Sequence, residues 1–253
     1  PLIDGKKLVV NVGSKQASIV AFDKTNGKVI WKTHDDVAGY SSPVRIDVPS
    51  DDGPVPHLVV WCGKSLVGLK PADGSVQWKH QWLTTDDMNI ATPIFDPATG
   101  TLYVSASRGT GRCSAYRLTA TKGTVKSEEI YTNKQMKNHY NSCVLLKGHL
   151  YGFDNNVMKC QELATGKILW TNRTVGKGAV IAAQGHLVVL GERARWRSSR
   201  LRRRPTPKRA DSGRWPARGP GRRRHWPVES STSGTWSGSP VSVSPSDTRG
   251  YAS

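Results

Sequence analysis

Long apolar stretches are absent from this 253-residue sequence, of which only 36% is hydrophobic. A membrane-spanning helix needs about 20 consecutive apolar residues, so we expect no membrane span. The chain begins at Pro1 without a charged and then apolar leader, as a mature exported protein or a fragment does. About 190 residues are nevertheless enough to bury a sizeable core.

Cysteine is also scarce, and the spacing of the cysteines argues against a small zinc-binding domain and against a small disulfide-rich domain. No two cysteines are adjacent and none form a CxxC pair, so neither a structural zinc site nor a dense disulfide framework is indicated. We therefore expect all of them to be core residues and predict no metal ligand among them. They are Cys62, Cys113, Cys143 and Cys160.

Charge is distributed very unevenly along the chain. The formal net charge is +18, which would ordinarily suggest nucleic-acid binding. Residues 1–192 contain 22 basic and 16 acidic side chains, whereas residues 193–253 contain 15 and 3. Fourteen of those last 15 basic residues are arginine, against five of the first 22. Two different compositions are therefore joined near residue 192.

An internal repeat occupies the first of these two parts. Residues 21–31, 68–78 and 160–170 read AFDKTNGKVIW, GLKPADGSVQW and CQELATGKILW. Each predicts a strand, a tight turn whose glycine tolerates positive φ, and a second strand that ends in tryptophan. A weaker copy ends at Tyr131. The turn glycines are Gly27, Gly74 and Gly166, and the terminal aromatics Trp31, Trp78, Tyr131 and Trp170 are 47, 53 and 39 residues apart.

This spacing is the period of a propeller blade, which is about 40 to 50 residues long. We predict an all-β fold: a partial β-propeller of about four four-stranded antiparallel blades, followed by a disordered basic tail. Each terminal aromatic should pack on the next blade, with its indole N–H bonded to a backbone carbonyl there. The predicted blades are 7–33, which lacks an inner strand, then 39–80, 89–131 and 138–171, and a partial blade at 176–192.

The repeat resembles the pyrroloquinoline-quinone-like (PQQ-like) propeller family, and most closely its non-enzymatic bacterial members. That resemblance implies a protein-interaction scaffold in the periplasm or cell envelope, with a protein partner and no cofactor. The alternative is a fragment of a PQQ- and calcium-dependent oxidoreductase. Enzymes of that class hold their cofactor with adjacent cysteines, a tryptophan floor, a carboxylate base and calcium ligands, and the adjacent cysteines are missing from this sequence.

Loops that precede the inner strands are where we expect a ligand or partner, because they meet at one mouth of a propeller. Paired carboxylates in such a loop offer oxygen ligands for a cation; the same side chains also cap turns. Both alternatives stay open, and no catalytic residue is predicted. The candidate rim residues are Tyr40, Asp86, Asp87, Asn89, His139, Tyr140 and Asn141.

The tail, residues 193–253, has too few aliphatic residues to fold. A basic arm that binds nucleic acid is one interpretation of it. We favour another: a GC-rich coding sequence read out of frame, which would make the chain a fragment of a larger propeller. Permitted codons for residues 225–244, read from the third base, allow a string that resembles a further pair of blade strands.

The frame-shift interpretation predicts that the nucleotide sequence encodes a further blade in the shifted frame over residues 193–253. Sequencing the gene tests this directly. A shifted frame without blade-like strands contradicts the interpretation. In that case, truncation at residue 192 should abolish nucleic-acid binding if the tail is a genuine basic arm.

Overall fold

The computed structural model describes residues 1–109 and 111–192 in full, and the backbone alone of residues 196–200. All of these lie within one compact unit, Pro1–Trp215; the second unit, Pro216–Ser253, lies outside the described residues. A single 3-10 turn, Thr85–Asp87, is the helical structure among the described residues. In that part of the chain, no helix is long and apolar enough to cross a bilayer.

Five antiparallel sheets follow one another along the chain, and each pairs its strands in sequence order. Blade 1 contains β1 (Leu2–Asp4), β2 (Lys7–Ser14), β3 (Ala17–Asp23) and β4 (Val29–Thr33). Blade 2 contains β5 (Val44–Val48), β6 (Val55–Trp61), β7 (Ser65–Leu69) and β8 (Val76–Gln81). Blade 3 contains β9 (Ile94–Asp96), β10 (Thr101–Ala106), β11 (Arg112–Thr121) and β12 (Thr124–Asn133).

Blade 4 contains β13 (Val144–Leu146), β14 (His149–Asp154), β15 (Val157–Glu162) and β16 (Ile168–Asn172). Blade 5 has three described strands, β17 (Gly178–Ala183), β18 (His186–Gly191) and β19 (Trp196–Arg200). Repeated four-stranded meanders of this kind are the blades of a β-propeller. The predicted all-β propeller class is therefore confirmed.

Blade 1 differs from its prediction because it does have an inner strand. β1 pairs with β2 in the register Leu2 opposite Val9 and Asp4 opposite Lys7. Three residues are too few to show an alternating pattern, and backbone pairing requires none. The predicted start of this blade at residue 7 therefore missed β1.

The boundary predicted at residue 193 also differs from the structure. The backbone of β19 pairs with β18, with Trp196 opposite Leu190 and Arg200 opposite His186. An exposed strand edge offers unpaired N–H and C=O groups that accept almost any backbone, so an arginine-rich segment can add to it. The rest of the predicted disordered, frame-shifted tail lies outside the described residues.

Both faces of the middle strands of blades 2 to 4 are buried, because each of these blades lies between two others. In β6, Leu58 and Val60 pack against blade 1, whereas Val59 and Trp61 pack against blade 3. Side chains alternate between the two faces of a strand, so one short segment contributes to two cores. The same division recurs at each of the four junctions between consecutive blades. All four cysteines are buried and free, as predicted.

A β-bulge recurs at the same place in the outer strand of blades 1 to 4. Trp31 lies opposite Ala21, Trp78 opposite Gly68, Tyr131 opposite Ala115 and Trp170 opposite Cys160, and the register shifts at the next residue of the inner partner. Bulges bend a strand and redirect its side chains. The small residue opposite each ring leaves space for it, and the bulge directs the ring to the neighbouring blade.

Two of these rings rest on the hairpin glycine of the next blade. Trp31 Nε1 donates to the Pro71 carbonyl at 3.2 Å, which confirms the predicted backbone partner. A Cβ at Gly74 would lie 2.5 Å from the Trp31 ring, and one at Gly166 would lie 2.7 Å from the Tyr131 ring. Tyr131 therefore occupies the position of the tryptophans.

Trp78 docks differently because the next hairpin, in blade 3, is longer. Its ring stacks on His57 with centroids 5.7 Å apart, and its Nε1 has no hydrogen-bond partner among the described residues. The adjacent Gln77 instead accepts a hydrogen bond from the Val125 N–H at 2.8 Å. Trp170 packs against the blade 4 and blade 5 core beside Tyr151.

We predict that Gly74→Ala lowers the free energy of unfolding more than Gly27→Ala does. Both glycines have left-handed φ, +75° and +73°, but a Cβ at Gly27 would meet no atom within 4 Å. Backbone strain costs about 1–2 kcal/mol at each site, and displacing the Trp31 ring adds about 1–3 kcal/mol at Gly74 alone. Urea unfolding measures both. Equal losses would contradict ring docking on Gly74.

His57 is a buried histidine whose lowered pKa should make the stability of the fold depend on pH. Its side chain is fully buried, and neither ring nitrogen has a hydrogen-bond partner among the described residues. Burial lowers the pKa of His57 to about 4, so the ring is neutral in the folded chain at neutral pH. The unfolded chain, in which histidine titrates near 6.5, takes up this proton first on acidification.

The His57 pKa predicts acid destabilisation. Stability should fall as the pH drops from about 6.5 to 4, with a total loss near 3 kcal/mol from this group. His57→Phe should reduce the steepness of that fall by about one proton, whereas His149→Gln serves as a control histidine substitution. Urea unfolding at several pH values supplies the slopes. An unchanged slope in His57→Phe would show that His57 is not the group responsible.

Candidate functional site

The loops that precede the inner strands form a hydrogen-bonded row from blade 2 to blade 5. The row comprises residues 34–43, 82–93, 134–143 and 173–177, which we call the rim. The Tyr40 N–H donates to the Asn89 carbonyl at 3.0 Å, and the Ser41 hydroxyl to the Ala91 carbonyl at 3.1 Å. The Thr92 N–H donates to the Ser142 hydroxyl at 2.8 Å. The rim loops are thus held together at one end of the blades.

Asn89 and Asn141 hold these loops in place. Asn89 is fully buried, and its Nδ2 donates to the Cys62 and Gly63 carbonyls at 2.8 and 2.9 Å. Asn141 Nδ2 donates to the Gly178 carbonyl of blade 5 at 2.7 Å. Both side chains make hydrogen bonds within the protein. The fully buried Asn89 thus has a packing role, whereas a ligand role for the partly exposed Asn141 stays a prediction.

Asp86 and Asp87 lie on the 3-10 turn Thr85–Asp87, and both have left-handed backbone, with φ of 61° and 53°. The Asp86 carboxylate is exposed and pairs with Arg108 at 3.1 Å across the neighbouring turn. The Asp87 backbone carbonyl accepts the Asn89 N–H at 3.1 Å. This arrangement favours the turn-forming interpretation of the two carboxylates over a shared cation.

His139 and Tyr140 form a stacked pair, with ring centroids 3.8 Å apart. Lys177 Nζ lies 3.2 Å from His139 Nδ1 and 4.7 Å from the Tyr140 ring centroid. Burial first, then the Lys177 and Arg108 charges, lower the pKa of His139. A neutral His139 therefore accepts a hydrogen bond at Nδ1 from the Lys177 ammonium. The small cavity here, about 10 Å³ in volume, admits one water molecule at most.

Two tyrosines dominate the exposed surface of the rim. The Tyr40 side chain is 66% exposed and that of Tyr140 is 58% exposed, the former on the loop before blade 2 and the latter on the loop before blade 4. The intervening loop carries Asp86, and Arg108 and Lys177 add positive charge around it. Exposed tyrosines with charged neighbours are typical of protein interfaces. Among the aromatic candidate residues, these two are the most exposed, and the Asp86 carboxylate is similarly exposed.

A separate polar cluster, which the sequence did not predict, lies where blade 1 meets blade 2. His34 Nε2 is 3.7 Å from Asp36 Oδ2 and 2.9 Å from the Ser65 hydroxyl, which also bonds Asp36. The Cys62 thiol completes it: one ligand atom each from His34, Asp36 and Cys62 lies within 4.8 Å of the others. We call His34, Asp36, Cys62 and Ser65 the junction cluster.

Burial governs the protonation of the junction cluster. Burial first, then the Lys79 charge, lower the pKa of His34, which Asp36 opposes. Burial first, then Asp36, raise the pKa of the Cys62 thiol to about 12. The imidazole is therefore neutral and the thiol protonated in the metal-free chain at neutral pH. His34 and Asp36 are two residues apart, but Cys62 joins them only through folding, so no local motif signals the cluster.

The described residues do not fit the quinone clamp that the family resemblance implies for its enzymes. The four cysteines are distributed among the interfaces between blades. Trp31, Trp61, Trp78 and Trp82 are likewise buried in those interfaces. No tryptophan floor or adjacent thiol pair is thus formed by the described residues.

Solved structures resemble this chain at low identity. BamB from Moraxella catarrhalis is 11% identical with a TM-score of 0.40, over 82% of this chain and 72% of that chain. Quinohemoprotein alcohol dehydrogenase from Comamonas testosteroni is 12% identical with a TM-score of 0.47, over 76% of this chain and 41% of that chain. The chain thus spans less than half of the dehydrogenase. Such scores support no argument about function.

Sequence comparison, unlike these structural similarities, shows the family to which the chain belongs. No curated protein sequence matches the chain. A family profile described as outer membrane protein assembly factor BamB matches residues 1–172. Because that match covers more than half of the 253 residues, the chain belongs to this PQQ-like propeller family.

Proposed function

We propose that the chain is a non-catalytic propeller scaffold of the bacterial cell envelope that binds a protein partner through the rim. The observation that carries the proposal is the exposure of Tyr40 and Tyr140, 66% and 58%, on loops that are fixed by hydrogen bonds. A fixed loop loses little conformational entropy on binding. Tyrosine supplies a large contact area with few rotamers to freeze.

The family description supports both the partner class and the location. It names an outer membrane protein assembly factor, so we propose that the partner belongs to the machinery that assembles outer-membrane proteins. No cofactor is part of the proposal. The interface positions of the cysteines and tryptophans favour a scaffold over the PQQ- and calcium-dependent oxidoreductase.

Site-specific photo-crosslinking tests the rim. A photoreactive phenylalanine analogue replaces Tyr40 or Tyr140 and, as a control, Lys122, which is exposed at the tip of the β11–β12 hairpin on the opposite end of the blades. We expect one common partner to crosslink at positions 40 and 140 but not at 122. Equal crosslinking at all three positions, or none at the rim, would contradict the proposal.

Alanine substitution measures how much each ring contributes. A tyrosine anchor at the centre of an interface is worth about 2 kcal/mol, so Tyr40→Ala and Tyr140→Ala should each weaken binding of the crosslinked partner about 30-fold. Tyr40→Phe and Tyr140→Phe keep the rings and should retain most of the affinity. Calorimetric titration gives the dissociation constants.

Dye reduction by the intact protein with added quinone and calcium would instead support the oxidoreductase alternative.

A further inference from the structure

We propose that the junction cluster binds one zinc-type divalent ion through His34 Nε2, Asp36 Oδ2 and Cys62 Sγ. Their ligand atoms lie within 4.8 Å of one another. The His34 and Asp36 side chains are 7% and 3% exposed, and Cys62 is fully buried. The proposal does not rest on the proposed function, because the ion would bind buried side chains and not the exposed rim tyrosines.

The Asp36 carboxylate is the first reason to infer an ion. A buried carboxylate is costly unless it is paired or coordinates a metal. Among the described residues, His34 is the basic side chain within 4.0 Å of this carboxylate, with Nε2 at 3.7 Å from Oδ2. No Lys or Arg nitrogen of the described residues lies within 4.0 Å of Asp36, and a divalent cation held by His34, Asp36 and Cys62 would give the carboxylate a direct cationic partner.

The carboxylate is also held in the orientation that a ligand needs. Its Oδ1 accepts the Val37 N–H at 2.7 Å and the Lys64 N–H at 3.1 Å. The Ser18 hydroxyl accepts the Asp36 N–H at 2.5 Å. Oδ2 is consequently directed to the Ser65 hydroxyl and His34. Such outer hydrogen bonds orient ligands and tune metal affinity.

The donor set selects the class of ion. One imidazole nitrogen, one carboxylate oxygen and one thiolate sulfur are ligands that zinc accepts, and zinc is commonly held by three or four protein ligands in a tetrahedron. Ser65, whose hydroxyl is 2.9 Å from His34 Nε2, adds one more oxygen beside these three donors. Calcium and magnesium, which prefer oxygen ligands alone, are disfavoured.

Binding requires the thiol to ionise. The Cys62 proton leaves to solvent as the sulfur–metal bond forms, and no oxidation or reduction takes place. The bound ion then joins the rim loop before blade 2, which carries His34 and Asp36, to the β6–β7 turn, which carries Cys62. An ion that binds only the folded chain raises its stability by mass action.

Metal titration of the chelator-treated full chain tests the site. We expect one zinc ion per chain by elemental analysis, a higher melting temperature on adding zinc, and near-ultraviolet thiolate-to-metal absorption with cobalt. Cys62→Ser should abolish that absorption and weaken zinc binding about 100-fold. Cys160→Ser is the matched control, since Cys160 is buried and free but belongs to no such ligand group among the described residues.

The outcomes separate an ion site from a purely structural polar cluster. His34→Gln should weaken zinc binding as Cys62→Ser does; if it does not fold, the near-isosteric Cys62→Ser still decides the question. Absence of stoichiometric zinc in the wild-type chain would overturn the proposal. So would equal zinc affinity, or equal cobalt absorption, in Cys62→Ser and Cys160→Ser.

Discussion

Burial of both faces of the middle strands in blades 2 to 4 is the constraint on which the rest of the structure depends. Leu58 and Val60 of β6 belong to one junction between blades, while Val59 and Trp61 belong to the next. A blade alone would expose both sets of side chains, so each blade is stable only against its neighbours. The bulge that directs Trp31 and Tyr131 onto the next hairpin fixes the spacing between blades. The rim loops inherit their positions from that spacing.

Much of this fold was predictable because the blade signature is local. A turn glycine and a tryptophan four residues later define the outer hairpin in blades 1, 2 and 4. The weaker copy in blade 3 was still recognised as ending at Tyr131, which lies opposite Ala115 in the structure. Two strands, β1 and β19, were not predictable, because they pair through the backbone without an alternating apolar and polar pattern. β1 has only three residues, and β19 is a basic segment whose backbone pairs with the edge of β18.

The location of the candidate site was predictable from the sequence, but the orientation of its individual side chains was not. Sequence order brings the loops before the inner strands to one end of a propeller, and hydrogen bonds between consecutive loops hold them there. Sequence could not show that Asn89 turns inward to the Cys62 carbonyl while Tyr40 turns outward. The junction cluster depends on Cys62 meeting His34 and Asp36 across two blades, for which no spacing rule exists.

Hydrogen exchange of the chain, alone and bound to its crosslinked partner, tests the central claim that the rim is the binding surface. Backbone amides buried by a partner exchange more slowly, whereas those elsewhere are unaffected. We expect added protection in rim loops 34–43 and 134–143 and none at hairpin tips 24–28 and 163–167. Protection at the hairpin tips, with the rim unchanged, would contradict it.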